Sequence, residues 1–296
     1  MLNGILNIYK EKGFTSHDVV AKARGILRER KIGHTGTLDP DAEGVLPLCI
    51  GKATKVVPYL TDADKCYEAT VKLGAYTTTE DASGEILETF DVNVTRSHVE
   101  EVVKSFEGPY TQTPPMYSAI KVNGVRLYEL ARKGIVVDRP SRDVYLTSCN
   151  LIEWIDDTTF KIRVDCSKGT YIRTLCTDIG RALGCGAYME YLLRVRVGHY
   201  CLEDSLTLGA LESHKHEIDK YIEPVEEMFG NYPKITILHT YNKYLYNGNA
   251  LPFKSAQLLP EQLDQFVRIY DEEGTFRGIY KVNNKLQQFI VEKLFI

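Results

Sequence analysis

Apolar and polar positions recur along this chain with a period that switches repeatedly between two and about 3.6 residues. Residues 5–9 (ILNIY) predict a short strand. Thr15 or Ser16 can cap a helix with Asp18 in its first turn, and Val19, Val20, Ala23, Ile26 and Leu27 then share one face. The Gly-rich stretch 33–44 interrupts regular structure, and 45–50 reads as a buried strand. In 66–73, Tyr67, Ala69, Val71 and Leu73 alternate with Glu68, Thr70 and Lys72, the pattern of a half-buried strand. A helix is expected after Thr95, burying Val99, Val102, Val103 and Phe106 and stopping at Gly108-Pro109. A Pro-rich loop at 109–115, a short helix near 124–133 and strands at 143–152 and 159–166 follow. The pattern then predicts a helix over 171–183, with Gly184 as its stop, and a strand near 188–197. Strands and helices mix without strict alternation, which points to an α+β architecture more than a doubly wound one. The character changes near 222–236, and the tail carries strand-like segments at 234–238, 266–270 and 277–282. The chain therefore divides into a large domain, 1–230, and a small β-rich module, 231–296.

Composition narrows the class. A chain of 296 residues, 44% hydrophobic and 26% charged, has an ordinary globular balance. No apolar run approaches a membrane span, and the N-terminus lacks the basic-then-apolar order of a signal peptide, so the expectation is a cytoplasmic protein. None of the seven cysteines forms a C-x-x-C pair or has zinc-ligand spacing with histidine, which predicts reduced thiols and no metal site. A net charge of -4 argues against a nucleic-acid partner when taken alone. Two local groups run the other way: Lys22, Arg24, Arg28, Arg30 and Lys31, then Lys161, Arg163, Lys168 and Arg173 with Arg194 and Arg196. Phosphate binding depends on local charges of this kind, although solvated surface charge is the plainer explanation.

The stretch Gly33-His34-Thr35-Gly36-Thr37-Leu38-Asp39-Pro40-Asp41-Ala42-Glu43-Gly44-Val45-Leu46-Pro47 carries the candidate chemistry. Gly33, Gly36 and Gly44 permit tight or left-handed backbone, and Pro40 biases Asp39 toward an extended conformation. Asp39 is thereby held on a stiff loop between regular elements, where reactive groups tend to sit. An isolated Asp-Pro is most often a structural turn.

This one is not isolated. The segment resembles the signature of the TruB-type tRNA pseudouridine synthases, as do Lys65-Cys66-Tyr67-Glu68-Ala69, Pro114-Pro115-Met116-Tyr117-Ser118-Ala119-Ile120-Lys121 and Lys168-Gly169-Thr170-Tyr171-Ile172-Arg173. The likeness spans roughly 5–210. It implies a pseudouridine-synthase-type mixed, largely antiparallel sheet with flanking helices, followed by a PUA-like tail. It implies that uridine is isomerised to pseudouridine at position 55, in the T arm of tRNA, without cofactor or metal. Asp39 falls on the catalytic carboxylate, Arg173 on the arginine that keeps it charged, and Tyr67 on the active-site tyrosine. Tyr171 and Leu192 fall on residues lining the base pocket, and His34 on one that fills the gap left by the displaced base. Asp81 falls on an acid bordering the site, and Lys10 on a basic residue of the opening motif, although Glu11 replaces the usual proline. Leu193 stands where the first of two arginines usually follows Leu192, with Arg194 in the second place, which weakens any phosphate contact at this turn. The resemblance further implies a stand-alone monomer with no obligatory protein partner and no membrane. Two other readings stay open: an RNA-binding or tRNA-folding factor with dispensable catalysis, and a guide-RNA-dependent synthase subunit.

Overall fold

The computed structural model describes residues 2–122, 124–259, 263 and 265–296. The first strand, β1, runs Gly4–Lys10. Helix α1, Ser16–Leu27, begins at the expected cap: Asp18 N donates to Thr15 Oγ1 and Thr15 N donates to the Asp18 carboxylate. Such a reciprocal box stabilises a helix start by about 1 kcal/mol. The chain then enters β2, Ile32–His34, loops through 35–42 and returns as β3, Glu43–Ile50. β4, Lys65–Leu73, follows two helical turns later.

These strands belong to one ten-stranded mixed sheet. Eight of its strands run in the order Ile222–Glu223, β1, β3, Ala187–Val197, β4, Thr159–Cys166, Arg142–Asp156 and Gly108–Gln112, while β2 also pairs with β3 and Tyr200–Cys201 with Ala187–Val197. All neighbours along this path are antiparallel except β3 with Ala187–Val197, a parallel pair joining Leu193 to Glu43 and Arg194 to Gly44. Gly44 adopts φ +108°, and a Cβ there would lie 2.2 Å from the Arg194 carbonyl oxygen, so the close approach of these two strands requires glycine. The α+β expectation and the mixed sheet agree.

Three apolar cores flank or extend this sheet. Tyr67, Ala69, Val71 and Leu73 face the helices Arg96–Ser105 and Ile172–Ala182. Val19, Val20 and Ala23 of α1 pack with Leu208 and Leu211 on Leu6, Ile8, Leu46 and Leu48. A third core joins Ile5, Val45, Cys49 and Val56 to Val225, Phe229, Ile279 and Phe295, so the tail shares a core with the large sheet. The second sheet has five strands, all between Lys234 and Leu294, and its own core around Ile235, Leu245, Val267, Tyr280 and Phe289.

Several local expectations shift. Residues 109–112, read as loop, belong to the edge strand Gly108–Gln112, where Pro109 costs no internal ladder bond. The helix near 124–133 contracts to Leu127–Ala131, preceded by the hairpin pair Lys121–Val122 and Val125–Arg126. Strand Gln288–Leu294 escaped the sequence reading. Six cysteines are buried and Cys201 is half-buried, all of them free. No helix among the described residues is long and apolar enough to cross a membrane.

Candidate active site

Asp39 sits on the 35–42 loop, and three buried side chains fix that loop from below. Lys10 Nζ donates to the carbonyls of Pro40 at 3.0 Å, Ala42 at 2.5 Å and Glu11 at 3.2 Å. Ser16 Oγ accepts from Leu38 N at 2.9 Å, which ties the loop to the first turn of α1. Arg194 Nη2 donates to Gly36 O at 3.2 Å, and its Nε donates to Val45 O at 2.7 Å. The Asp-Pro turn closes on itself through Ala42 N to Asp39 O. The sequence-level picture of a stiffly held carboxylate thus has a concrete basis.

Arg173, in the first turn of helix Ile172–Ala182, meets that carboxylate. Its Nε lies 3.1 Å from Asp39 Oδ2 and its Nη2 is 3.4 Å from Oδ1. The same guanidinium donates to Thr79 O and Tyr117 O and stands 3.7 Å from Asp81 Oδ2. Arg173 is buried while 40% of the Asp39 side chain remains accessible, so the carboxylate meets solvent with its counter-ion buried behind it. The surrounding protein pushes the Asp39 carboxyl up, Arg173 pulls it back, and Asp81 adds to the rise.

Tyr67 lies on β4, buried with Leu38 and Leu192 in one cluster, and close enough to Asp39 to feel its charge. Burial pushes its phenol up, and Arg194 pulls it back. Tyr171 caps the arginine helix. Its N–H donates to Gln112 Oε1 at 2.6 Å, Gln112 Nε2 donates to its carbonyl, and the Arg142 guanidinium covers its ring at 5.4 Å. Gln112 is buried and was missed by sequence reasoning, since an edge-strand glutamine has no local signal. Asp81 accepts from Thr79 Oγ1, Ser83 N and Ser83 Oγ, and so caps its own turn beside Arg173. Its neighbour Glu80 takes φ +65° and accepts from Thr174 Oγ1, one residue from Arg173. His34, at the end of β2, stands edge-on to His17 with ring centroids 5.2 Å apart. Burial, then His17 and Arg194, hold it below the usual histidine range, so the ring is neutral at physiological pH.

Two expectations need correction. Lys10 was expected to meet substrate, but it is fully buried and its ammonium is spent on loop carbonyls, with burial lowering it to about 8. Arg194 is likewise buried and turned toward backbone, away from any phosphate. The second basic group is neutralised piece by piece: Lys161 by Glu153, Arg163 by Glu68, Lys168 by Asp62 and Arg196 by Asp165. The first group has no carboxylate within ion-pair distance among the described residues. A recess of about 740 Å³ opens between α1 and helix Leu208–Ser213, but none of the expected site residues lines it.

A partly accessible aspartate clamped by a buried arginine, close to a buried tyrosine, is the centre of the candidate site. Comparison with known proteins identifies the class. Residues 24–172 match the TruB family pseudouridylate synthase N-terminal domain, and 173–230 match the tRNA pseudouridylate synthase B C-terminal domain. The chain is 47% identical to the tRNA pseudouridine synthase B of Lachnoclostridium phytofermentans, with both chains covered in full. It is 46% identical to the protein of the same name from Clostridium novyi, again across both whole chains. Its fold matches a chain in the crystal structure of a Cbf5-Nop10-Gar1 complex with a TM-score of 0.73 and 29% identity, over 99% of this chain and 85% of that one. The chain belongs to the TruB family of pseudouridylate synthases.

Proposed function

We propose that this chain is a cytoplasmic, monomeric enzyme that converts uridine 55 in the T arm of tRNA to pseudouridine, with Asp39 as the reacting carboxylate. The single observation that carries the reading is the partly accessible Asp39 carboxylate paired with buried Arg173 and close to Tyr67. In this reaction the N1–C1′ bond of uridine breaks, uracil turns, and a C5–C1′ bond forms. C5 gives up a proton and N1 gains one, so no electron is exchanged with a cofactor. Covalent attack by the carboxylate and electrostatic support of the sugar as its bond to N1 breaks both require the ionised form, which Arg173 favours.

Tyr67 and Leu192 form the apolar bed on which the extruded base lies, with the phenol oxygen as acceptor of the C5 proton. His34 takes the vacated place in the loop, where a neutral ring stacks without repelling or attracting phosphate. The names of the relatives support a tRNA substrate, and their higher identity compared with the Cbf5 chain supports a stand-alone enzyme.

The test is release of tritium from C5-labelled uridine in tRNA and in a bare T-arm stem-loop, with no other protein or guide RNA. Wild-type protein is expected to release the label from both. Transcripts with cytidine at position 55 and the Asp39→Asn variant are expected to release none. Equal release by Asp39→Asn, or from the cytidine transcript, would overturn the reading.

A further inference from the structure

Arg194 is 1% exposed, and no carboxylate lies within ion-pair distance of it among the described residues. A buried cation without a counter-ion is costly, and its guanidinium hydrogen-bonds two backbone carbonyls. Both carbonyls, Gly36 O and Val45 O, flank the loop that carries Asp39. Tyr67 stands directly opposite Arg194 in the antiparallel pair of β4 with Ala187–Val197, and the Arg194 charge acts on its phenol. Arg194 therefore lies under both groups to which the reaction has been assigned.

We propose that Arg194 is a positioning residue that holds the Tyr67 side chain toward Asp39 and favours release of the phenol proton, so that the oxygen can take the C5 proton. The inference rests on the reading of Tyr67 as proton acceptor. In the step, the C5–H bond of the rejoined uracil breaks and its electron pair restores the C5–C6 double bond. The Tyr67 hydroxyl has first given its own proton to water, the C5 proton takes its place on the oxygen, and N1 gains the proton that water accepted.

The surroundings of Tyr67 leave Arg194 as the group suited to this task. Burial raises the phenol, and Cys166 and Asp39 raise it further, while Arg194 opposes all three. Burial lowers Lys10, His34 and Lys65, and the same cation adds to the lowering of each. Lys10 and Lys65 direct their ammonium groups to backbone carbonyls of Pro40, Ala42, Thr61 and Ala63. That leaves the Tyr67 oxygen to Arg194.

The experiment pairs tritium release with the ionisation of 3-fluorotyrosine placed at position 67, followed by fluorine NMR. Arg194→Met is expected to bind tRNA within about threefold of wild type and to release tritium at least ~100-fold more slowly. The fluorotyrosine midpoint is expected to rise by about one unit or more. Arg194→Lys, which keeps the charge, is expected to hold the midpoint near wild type and recover part of the rate. Should Arg194→Met not fold, Arg194→Gln carries the same two expectations. A folded, uncharged variant with an unmoved midpoint overturns the inference. Tyr67→Phe separates the two failures: wild-type release by Tyr67→Phe removes the proton acceptor itself. An inactive Tyr67→Phe with an unmoved midpoint in the uncharged Arg194 variant removes only the role given to Arg194.

Discussion

Arg173 Nε lies 3.1 Å from Asp39 Oδ2 while Nη1 of the same guanidinium lies 3.7 Å from Asp81 Oδ2, so one planar cation spans two carboxylates. Its remaining donors go to Thr79 O and Tyr117 O, which link the pair to two further loops. A lysine ammonium is a point charge and cannot serve these four acceptors together. Arg173→Lys is expected to lower kcat by about 100-fold with KM for tRNA changed less than about threefold, since it disturbs orientation at the reacting centre and not the RNA surface. Single-turnover kinetics with excess enzyme check this, and a change confined to KM would contradict it.

Asp39 is placed for reaction at a cost in stability. Its carboxyl is raised above the usual 3.8 because burial outweighs Arg173. The folded state therefore binds this proton more tightly than the unfolded chain does. The stability this contributes is complete below about pH 3.8 and is lost as pH rises through the folded value. Asp39→Asn is expected to melt higher than wild type at pH 7–8, with the advantage shrinking toward zero near pH ~4. Thermal melts across that range test the sign, and an Asp39→Asn protein less stable at neutral pH would show that Arg173 outweighs burial.

The parts of this site legible in the sequence were those written locally. The β4 alternation put Tyr67 on the buried face, the Thr15–Asp18 box fixed the start of α1, and Pro40 with its glycines marked a stiff loop. What holds that loop was not legible, because Lys10, Ser16 and Arg194 reach it across 30, 22 and 158 residues of chain. A lysine on an apolar strand and an arginine in a basic run both read as solvent-facing, and only the tertiary approach of β3 to Ala187–Val197 turns them inward. The edge strand Gly108–Gln112 was hidden for a related reason: its proline and glycine signal a loop until the partner strand is present.

Lys10 makes the sharpest case for a role that burial reassigns. Its ammonium satisfies the Pro40 and Ala42 carbonyls on the C-terminal side of Asp39. Lys10→Met keeps the length of the side chain but leaves the buried Ala42 carbonyl without its donor and the Pro40 carbonyl with Gly13 N alone, a loss of about 1–3 kcal/mol if no water enters. The expected result is a destabilised protein by urea denaturation, and kcat reduced by about 10- to 100-fold through a loosened loop. Affinity for tRNA is expected to hold, because Lys10 presents no surface. A variant that loses affinity with kcat intact would restore Lys10 to the RNA interface.

The phosphate-facing charge is expected elsewhere. Lys31, Lys52 and Lys293 crowd Lys55 closely enough to add to the lowering that burial imposes on it. Lys55 Nζ in turn donates to Leu294 O, so this basic ridge runs from the large sheet onto the tail. None of the four has a carboxylate within ion-pair distance among the described residues, in contrast to Lys161 and Lys168, each held by an acid at 2.7 to 2.8 Å. Unpaired lysines exchange counter-ions for phosphates on binding RNA, and paired ones have little left to exchange. Replacing Lys31 and Lys52 together by alanine is expected to weaken tRNA binding and to reduce the salt slope of log Kd by about 1.5, leaving kcat unchanged. The double alanine variant at Lys161 and Lys168 is expected to leave the slope alone. Filter binding between low and moderate salt decides between the two surfaces, and the opposite ranking would move the RNA track to the paired group.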